Sequence, residues 1–133
     1  MKVLADTSAL YAFLDSADKN HSAAHETMER LREEEAQICS HEYIFVETVA
    51  LVQNRLGAEA LEAFYRKLWP LVEEEQVDLD IRARAMEYCL GRRSKTISFV
   101  DSVSFLIMKD RLIDKAFTFD SDFKKEGLTI YRG

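Results

Sequence analysis

The residues best placed to do chemistry are carboxylates embedded in apolar runs. Asp6 closes Val3-Leu4-Ala5, and Asp120 closes Ala116-Phe117-Thr118-Phe119. Glu47 interrupts Tyr43-Ile44-Phe45-Val46 and Thr48-Val49-Ala50-Leu51-Val52, while Asp101 stands between Ile97-Ser98-Phe99-Val100 and the run from Val103 to Met108. A buried carboxylate without a partner is costly enough that it protonates instead of staying charged. Taken singly, Asp6 and Asp101 suit helix caps, and Asp120 with Ser121-Asp122 suits a turn or cap. Capping does not account for Glu47 together with the two strand-end aspartates. If the four converge, like charges about 4 Å apart cost roughly 4 kcal/mol per pair at an effective dielectric near 20, and raised pKa values relieve only part of that. A divalent cation removes the conflict. All-oxygen ligation selects Mg²⁺ or Mn²⁺ over zinc, which favours Cys and His. Such ions activate water and stabilise charge on a phosphodiester without a histidine base. The expected chemistry is phosphoryl transfer to water.

The elements that would position these acids alternate between short apolar runs and helical periods. Lys2 to Ala5 predicts a buried strand, and Thr7 to Leu14 a helix with Asp6 at its start. Asn20 to Glu35 places Ala23, Ala24, Met28 and Leu31 at helical spacing. Ala36 to Cys39 predicts a second strand, and Ser40 suits the cap of a helix running to Leu56 that Gly57 stops. A helix is expected over Ala58 to Leu68, a third strand over Gln76 to Leu79, and a helix from an Asp80 cap to Gly91. Ser98 to Ile113, apolar nearly all round, predicts a central buried helix. Ala116 to Phe119 and Leu128 to Tyr131 complete five strands. Strands separated by helices imply parallel pairing with helices on both faces. The fold class is α/β, a three-layer α/β/α sandwich around a mainly parallel five-stranded sheet. Open sheets of this kind bind ligands beyond the carboxyl ends of their strands, which is where Asp6 and Asp120 fall.

Composition narrows the alternatives. The 133 residues correspond to about one domain, spanning 1–133. Four glycines and one proline exclude collagen-like and Pro/Gly-rich disordered chains. The longest stretch free of Asp, Glu, Lys and Arg is the eight residues from Thr7 to Leu14, against about twenty for a membrane span. Asp6 also breaks the opening apolar run too early for a signal peptide. Cys39 and Cys89 lack metal-ligand spacing and suit buried, reduced thiols, so a cytoplasmic protein is expected. A net charge of −6 from 24 acids and 18 bases argues against a loose grip on nucleic acid. It leaves room for an enzyme that meets nucleic acid through bound cations.

Other features carry less. His21 and His25 share a helix face, yet the residues between them lack the metalloprotease glutamate, so two partly exposed histidines are expected rather than a zinc site. Arg92, Arg93 and Lys95 precede Asp101 and suit either an RNA-contacting rim or cations complementing a helix end. Glu33-Glu34-Glu35 and Glu73-Glu74-Glu75 read as solvated edges. Trp69-Pro70 with Phe64, Tyr65 and Leu68 reads as core packing before a dimer patch. Neither a hydrolase triad nor a Gly-rich phosphate loop is present, and a phosphoacceptor receiver would need an acidic pair that Asp6 lacks.

Val3-Leu4-Ala5-Asp6-Thr7-Ser8-Ala9-Leu10, Phe45-Val46-Glu47, Ile97-Ser98-Phe99-Val100-Asp101-Ser102 and Phe119-Asp120-Ser121-Asp122-Phe123 resemble, in order and end to end, the successive motifs of PIN-domain ribonucleases, and within them the VapC-type toxins. The resemblance implies that Asp6, Glu47, Asp101 and Asp120 bind Mg²⁺ or Mn²⁺ and carry catalysis. Asp122 matches a frequent extra acid that binds metal directly, acts through water, or caps. Thr7 or Ser8 matches the hydroxyl that supports the first aspartate. The implied activity is metal-dependent endonucleolytic cleavage of RNA, commonly transfer or ribosomal RNA, leaving a 5′-phosphate. The implied partners are an antitoxin protein that silences the site and a second copy in a homodimer. The alternative is a PIN-like module that binds protein or RNA without cleaving. Four intact acids speak against it, because a scaffold has no reason to keep their repulsion.

Overall fold

The computed structural model describes residues 1–132. Its order is β1 (Lys2–Ala5), α1 (Thr7–Leu14), α2 (His21–Glu33), β2 (Gln37–His41), α3 (Glu42–Arg55) and α4 (Ala58–Ala63). Then follow β3 (Val72–Glu75), α5 (Leu79–Arg92), α6 (Phe99–Asp110), β4 (Lys115–Phe117), α7 (Asp122–Lys125) and β5 (Thr129–Ile130). The five strands form one sheet in the order β3-β2-β1-β4-β5, and every pairing is parallel. Parallel neighbours require crossover connections, and these are right-handed almost without exception. The chain steps outward one way from β1 to β3 and returns past β1 to β4 and β5, so the two sets of crossover helices fall on opposite faces. Contacts agree with this division: α1 packs on α2 and α3, α3 on α4, and α5 on α6. The expected three-layer α/β class is observed.

β1 is central because its residues allow nothing else. Val3, Leu4 and Ala5 are completely buried, as the middle strand of a sheet covered on both faces should be. Its neighbours contribute Cys39 from β2 and Ala116 and Phe117 from β4, also completely buried. Beyond β1, the Asp6 N–H still donates to Phe117 O at 3.0 Å, which holds the turn into α1 against the end of β4. Sheet order reverses between β1 and β4, and a crevice opens there beyond the strand ends.

Several boundaries differ from the sequence expectation, each for a local reason. β2 runs on through Ser40 and His41 because β3 pairs with it as far as His41↔Glu75. Ser40 is therefore a strand residue whose Oγ donates to Ala5 O at 2.8 Å, and His41 is the cap of α3. His41 Nδ1 accepts the Tyr43 and Ile44 N–H groups at 3.2 and 3.4 Å. The third strand is Val72–Glu75, not Gln76–Leu79, and the Glu73-Glu74-Glu75 run, expected as a solvated edge, lies on the edge strand of the sheet. The cap of α5 is Asp78, accepting from Ile81 N at 2.8 Å, in place of Asp80. The expected helix Ala58–Leu68 ends as an α-helix at Ala63 and widens into a π turn over Phe64–Leu68, followed by a 3₁₀ turn at Trp69–Leu71. Pro70 cannot extend the ladder, and the wider turn brings Phe64, Leu68 and Trp69 into the core, where both rings meet Phe45. Gly57 ends α3 as expected, with a φ of 90° open to glycine and closed to most side chains.

Candidate active site

Asp6 lies at the carboxyl end of β1 and is 4% exposed. It occupies the position before α1, yet its side chain does not cap that helix. Oδ2 instead accepts two hydroxyls, from Ser8 at 3.0 Å and Thr118 at 2.9 Å. Burial pushes the Asp6 carboxyl up to about 6; the Thr118 and Ser8 hydroxyls act against that, and the charge of Glu47 adds to it. Asp101 sits in the first turn of α6. It completes a capping box, accepting the Ser98 N–H at 3.1 Å while Ser98 Oγ accepts the Asp101 N–H at 3.0 Å. Burial also raises its carboxyl to about 6, with further repulsion from Asp6 and Asp120. The capping role considered from sequence is real and coexists with a place facing the other acids.

Glu47 projects from the middle of α3, and its Oε1 accepts the hydroxyl of Thr7 at the start of α1. Asp120 follows β4. Its N–H donates to Thr118 Oγ1 at 3.0 Å, and its Oδ1 accepts the Asp122 N–H at 2.9 Å. These side chains share one open cavity of about 590 Å³, lined by Asp6, Thr7, Ser8, Glu47, Ala50, Leu51, Asn54, Ser98, Asp101 and Asp120. Four acids that are distant in the chain thus meet beyond the strand ends, where the sheet order reverses. Among the described residues, the lining contains neither lysine nor arginine. Nor do any three His, Cys, Asp or Glu side chains close on one point as a ready-made metal site. The donor set is all oxygen, the kind that hard cations take.

The remaining candidates fall outside that lining. Asp122 begins α7, is 7% exposed, and meets Lys125 Nζ at 3.6 Å. Arg92 pairs with Glu126 at 2.9 Å and covers the Tyr88 ring. Arg93 ends α5 in a left-handed conformation with φ 53°, and Lys95 is exposed beyond it. His21 and His25 bind no common atom. They contact the carbonyls of Ala12 and Phe13 at 2.8 and 3.1 Å and so tie α2 to the end of α1. Sequence reasoning missed Thr118, Ser98 and Asn54. Ser98 was legible in principle as the Ser of a Ser-x-x-Asp box; a lone buried Thr and a polar rim residue carry no such pattern.

The PIN domain family profile matches residues 3–127. A Mycobacterium tuberculosis protein, the 23S rRNA-specific endonuclease VapC20, is 30% identical over 132 residues, covering 98% of each chain. The crystal structure of VapC20 from the same organism, described as a Sarcin-Ricin loop cleaving toxin, superposes with a TM-score of 0.85 at 28% identity, over 98% of this chain and 99% of that one. FitAcB from Neisseria gonorrhoeae shares the fold, with a TM-score of 0.69 at 16% identity over 98% and 96% of the two chains. A parallel five-stranded sheet with acids gathered at its switch point, and a family match over nearly the whole length, lead to one assignment: the chain belongs to the PIN-domain family.

Proposed function

We propose that this protein is an endoribonuclease that hydrolyses RNA phosphodiester bonds, the toxin of a toxin–antitoxin pair, with Mg²⁺ or Mn²⁺ as its cofactor. The observation that carries the reading is the convergence of Asp6, Glu47, Asp101 and Asp120 on one cavity without a basic residue to neutralise them. Burial and mutual repulsion push Asp6 and Asp101 up to about 6, so at neutral pH they are ionised in a buried, mutually repelling cluster whose strain a positive charge from outside the chain would relieve. These four acids would hold the cation. When bound, it would activate water and stabilise the charge that develops on the phosphate.

The chain's own part is positioning. Thr7 orients Glu47, Ser8 and Thr118 orient Asp6, and the Ser98 amide orients Asp101. Water adds to phosphorus as the bond to the 3′ oxygen breaks, leaving a 5′-phosphate and a 3′-hydroxyl. The open cavity admits a strand lying across its rim, as attack within a polynucleotide requires. Ribosomal RNA is the proposed substrate, supported by the likeness to VapC20. An antitoxin partner, a homodimer and a cytoplasmic setting rest on the same kinship; among the described residues, no helix is long and apolar enough to cross a membrane.

The test is cleavage of ribosomes and total cellular RNA by purified, partner-free protein, read by sequencing new 5′ ends. Manganese, chelator and Asp101→Asn arms run alongside. Discrete sites that require the cation and vanish in the variant are expected. Folded, partner-free protein that leaves every RNA intact overturns the reading in favour of a non-cleaving module.

A further inference from the structure

Thr118 is completely buried just beyond β4, and its single oxygen serves both sides of the switch point. The hydroxyl donates to Asp6 Oδ2 at 2.9 Å, and the same Oγ1 accepts the Asp120 N–H at 3.0 Å. Ser8 Oγ lies 3.1 Å away; it donates to the same Asp6 oxygen at 3.0 Å and accepts the Phe119 N–H at 2.9 Å. A hydroxyl has one proton and two lone pairs. With the Thr118 proton committed to Asp6, a lone pair is committed to Asp120. One atom therefore fixes the first acid, carried by β1, against the last, carried by the turn after β4. β-Branching holds the Thr118 χ1 angle and so fixes where that atom sits.

We propose that Thr118 is a positioning residue, setting the separation of Asp6 and Asp120 at which the two can share a cation; this rests on the nuclease reading above. A purely structural role would need only the volume and the buried methyl, which valine supplies. The positioning role needs the oxygen, which serine supplies.

The experiment compares full-length, partner-free wild type, Thr118→Val and Thr118→Ser. It measures Mn²⁺ binding from the electron paramagnetic resonance signal of free ion, cleavage kinetics, and the cation-free melting temperature. Thr118→Val is expected to weaken Mn²⁺ binding about 10- to 100-fold, the usual effect of losing a group that orients a metal ligand. kcat should fall in parallel, while KM for RNA stays within about twofold, because Thr118 does not face the strand. Thr118→Ser should recover Mn²⁺ affinity to within about threefold of wild type, the residue of the loss reflecting its freer rotamer. If Thr118→Val does not fold, Thr118→Cys, a weaker donor of similar size, replaces it with the same expectations. Mn²⁺ affinity and kcat unchanged in the valine or cysteine variant overturn the proposal, as does a serine variant as impaired as valine. Wild type that takes up no Mn²⁺ overturns the nuclease reading and this role with it, whereas wild type that binds normally beside an unaffected variant overturns only the role of Thr118.

Discussion

Two acidic clusters in this molecule meet the same electrostatic problem in opposite ways. At the outer edge of the sheet, Glu73, Glu74 and Glu75 follow one another along β3. Lys2 reaches Glu73 and Glu75, each at 3.2 Å, Arg111 approaches Glu75 at 3.6 Å, and the Trp69 indole N–H donates to Glu74 at 2.9 Å. Charges on an edge strand also discourage pairing with another chain. In the cavity, Asp6, Glu47, Asp101 and Asp120 meet hydroxyl and amide donors and, among the described residues, no cationic side chain. The edge cluster carries its own countercharge and is complete. The cavity cluster has neither lysine nor arginine in its lining among the described residues, and on the proposed reading a cation from solution would complete it.

The largest effect should come from removing one cavity acid. Asp101→Asn keeps a side-chain oxygen for the Ser98 N–H, so α6 remains capped. Cleavage is expected to fall at least about a hundredfold, the scale of losing one preorganised stabilising group. The same variant should melt higher than wild type in chelator at neutral pH, because a desolvated and repelled charge is gone. Calorimetry beside the cleavage assay checks both. An Asp101→Asn protein that still cleaves, or that melts lower without cation, would erase the distinction between the clusters.

Cation addition should separate them next. A ligand that binds only the folded chain stabilises it by about 2.7 kcal/mol at a hundred times its dissociation constant, or several degrees in Tm for a domain of this size. Wild type should show that rise with Mg²⁺ or Mn²⁺. Asp6→Asn should show little of it, and removal of edge charges should leave it intact.

A pH series sharpens the contrast without any cation. Asp6 and Asp101 titrate near 6 in the fold, against roughly 3.9 when unfolded. Between those values the folded chain binds more protons than the unfolded one. Their contribution to stability is therefore present at low pH and lost as pH rises through about 6. His41 runs the other way. Buried, neutral and bonded to Ser104 at 2.9 Å, it is lowered to about 3 by burial, against roughly 6.5 unfolded. Its contribution is present above about 6.5 and lost as pH falls toward 3. Cation-free melts across this range should show the two trends opposing in wild type. In Asp6→Asn the fall toward acid should be steeper; a profile identical to wild type would mean that Asp6 is not strained in the apo fold.

The cavity acids were legible because a carboxylate inside an apolar run is conspicuous whatever the fold, and β1 was legible to the residue because Val3-Leu4-Ala5 has no amphipathic alternative. β3 was not. Val72-Glu73-Glu74-Glu75 lacks the apolar run used to recognise a buried strand, and its acids become acceptable there only through Lys2, about seventy positions away in the chain. The cap of α3 was misplaced by one residue for a related reason: pairing with β3 extends β2 to His41, and no local signal announces that pairing. Thr118 was missed because a hydroxyl's partners are set by tertiary approach, here of β1 to β4, and not by spacing. Local chemistry revealed the groups that need something; tertiary contact revealed what supplies it.

The smallest expected effect lies at the edge. Lys2→Met keeps the aliphatic stem and removes the ammonium that Glu73 and Glu75 share. Because this pairing is partly solvated, the loss should be about 1 kcal/mol or less, larger at low salt than at high. Cleavage and cation-induced stabilisation should match wild type, since Lys2 is at the amino end of β1 and the cavity opens at the other. Thermal melts at two salt concentrations, beside the cleavage assay, measure this. A Lys2→Met protein with impaired cleavage would show that the edge charges shape the field at the cavity, and the two clusters would have to be treated as one electrostatic unit.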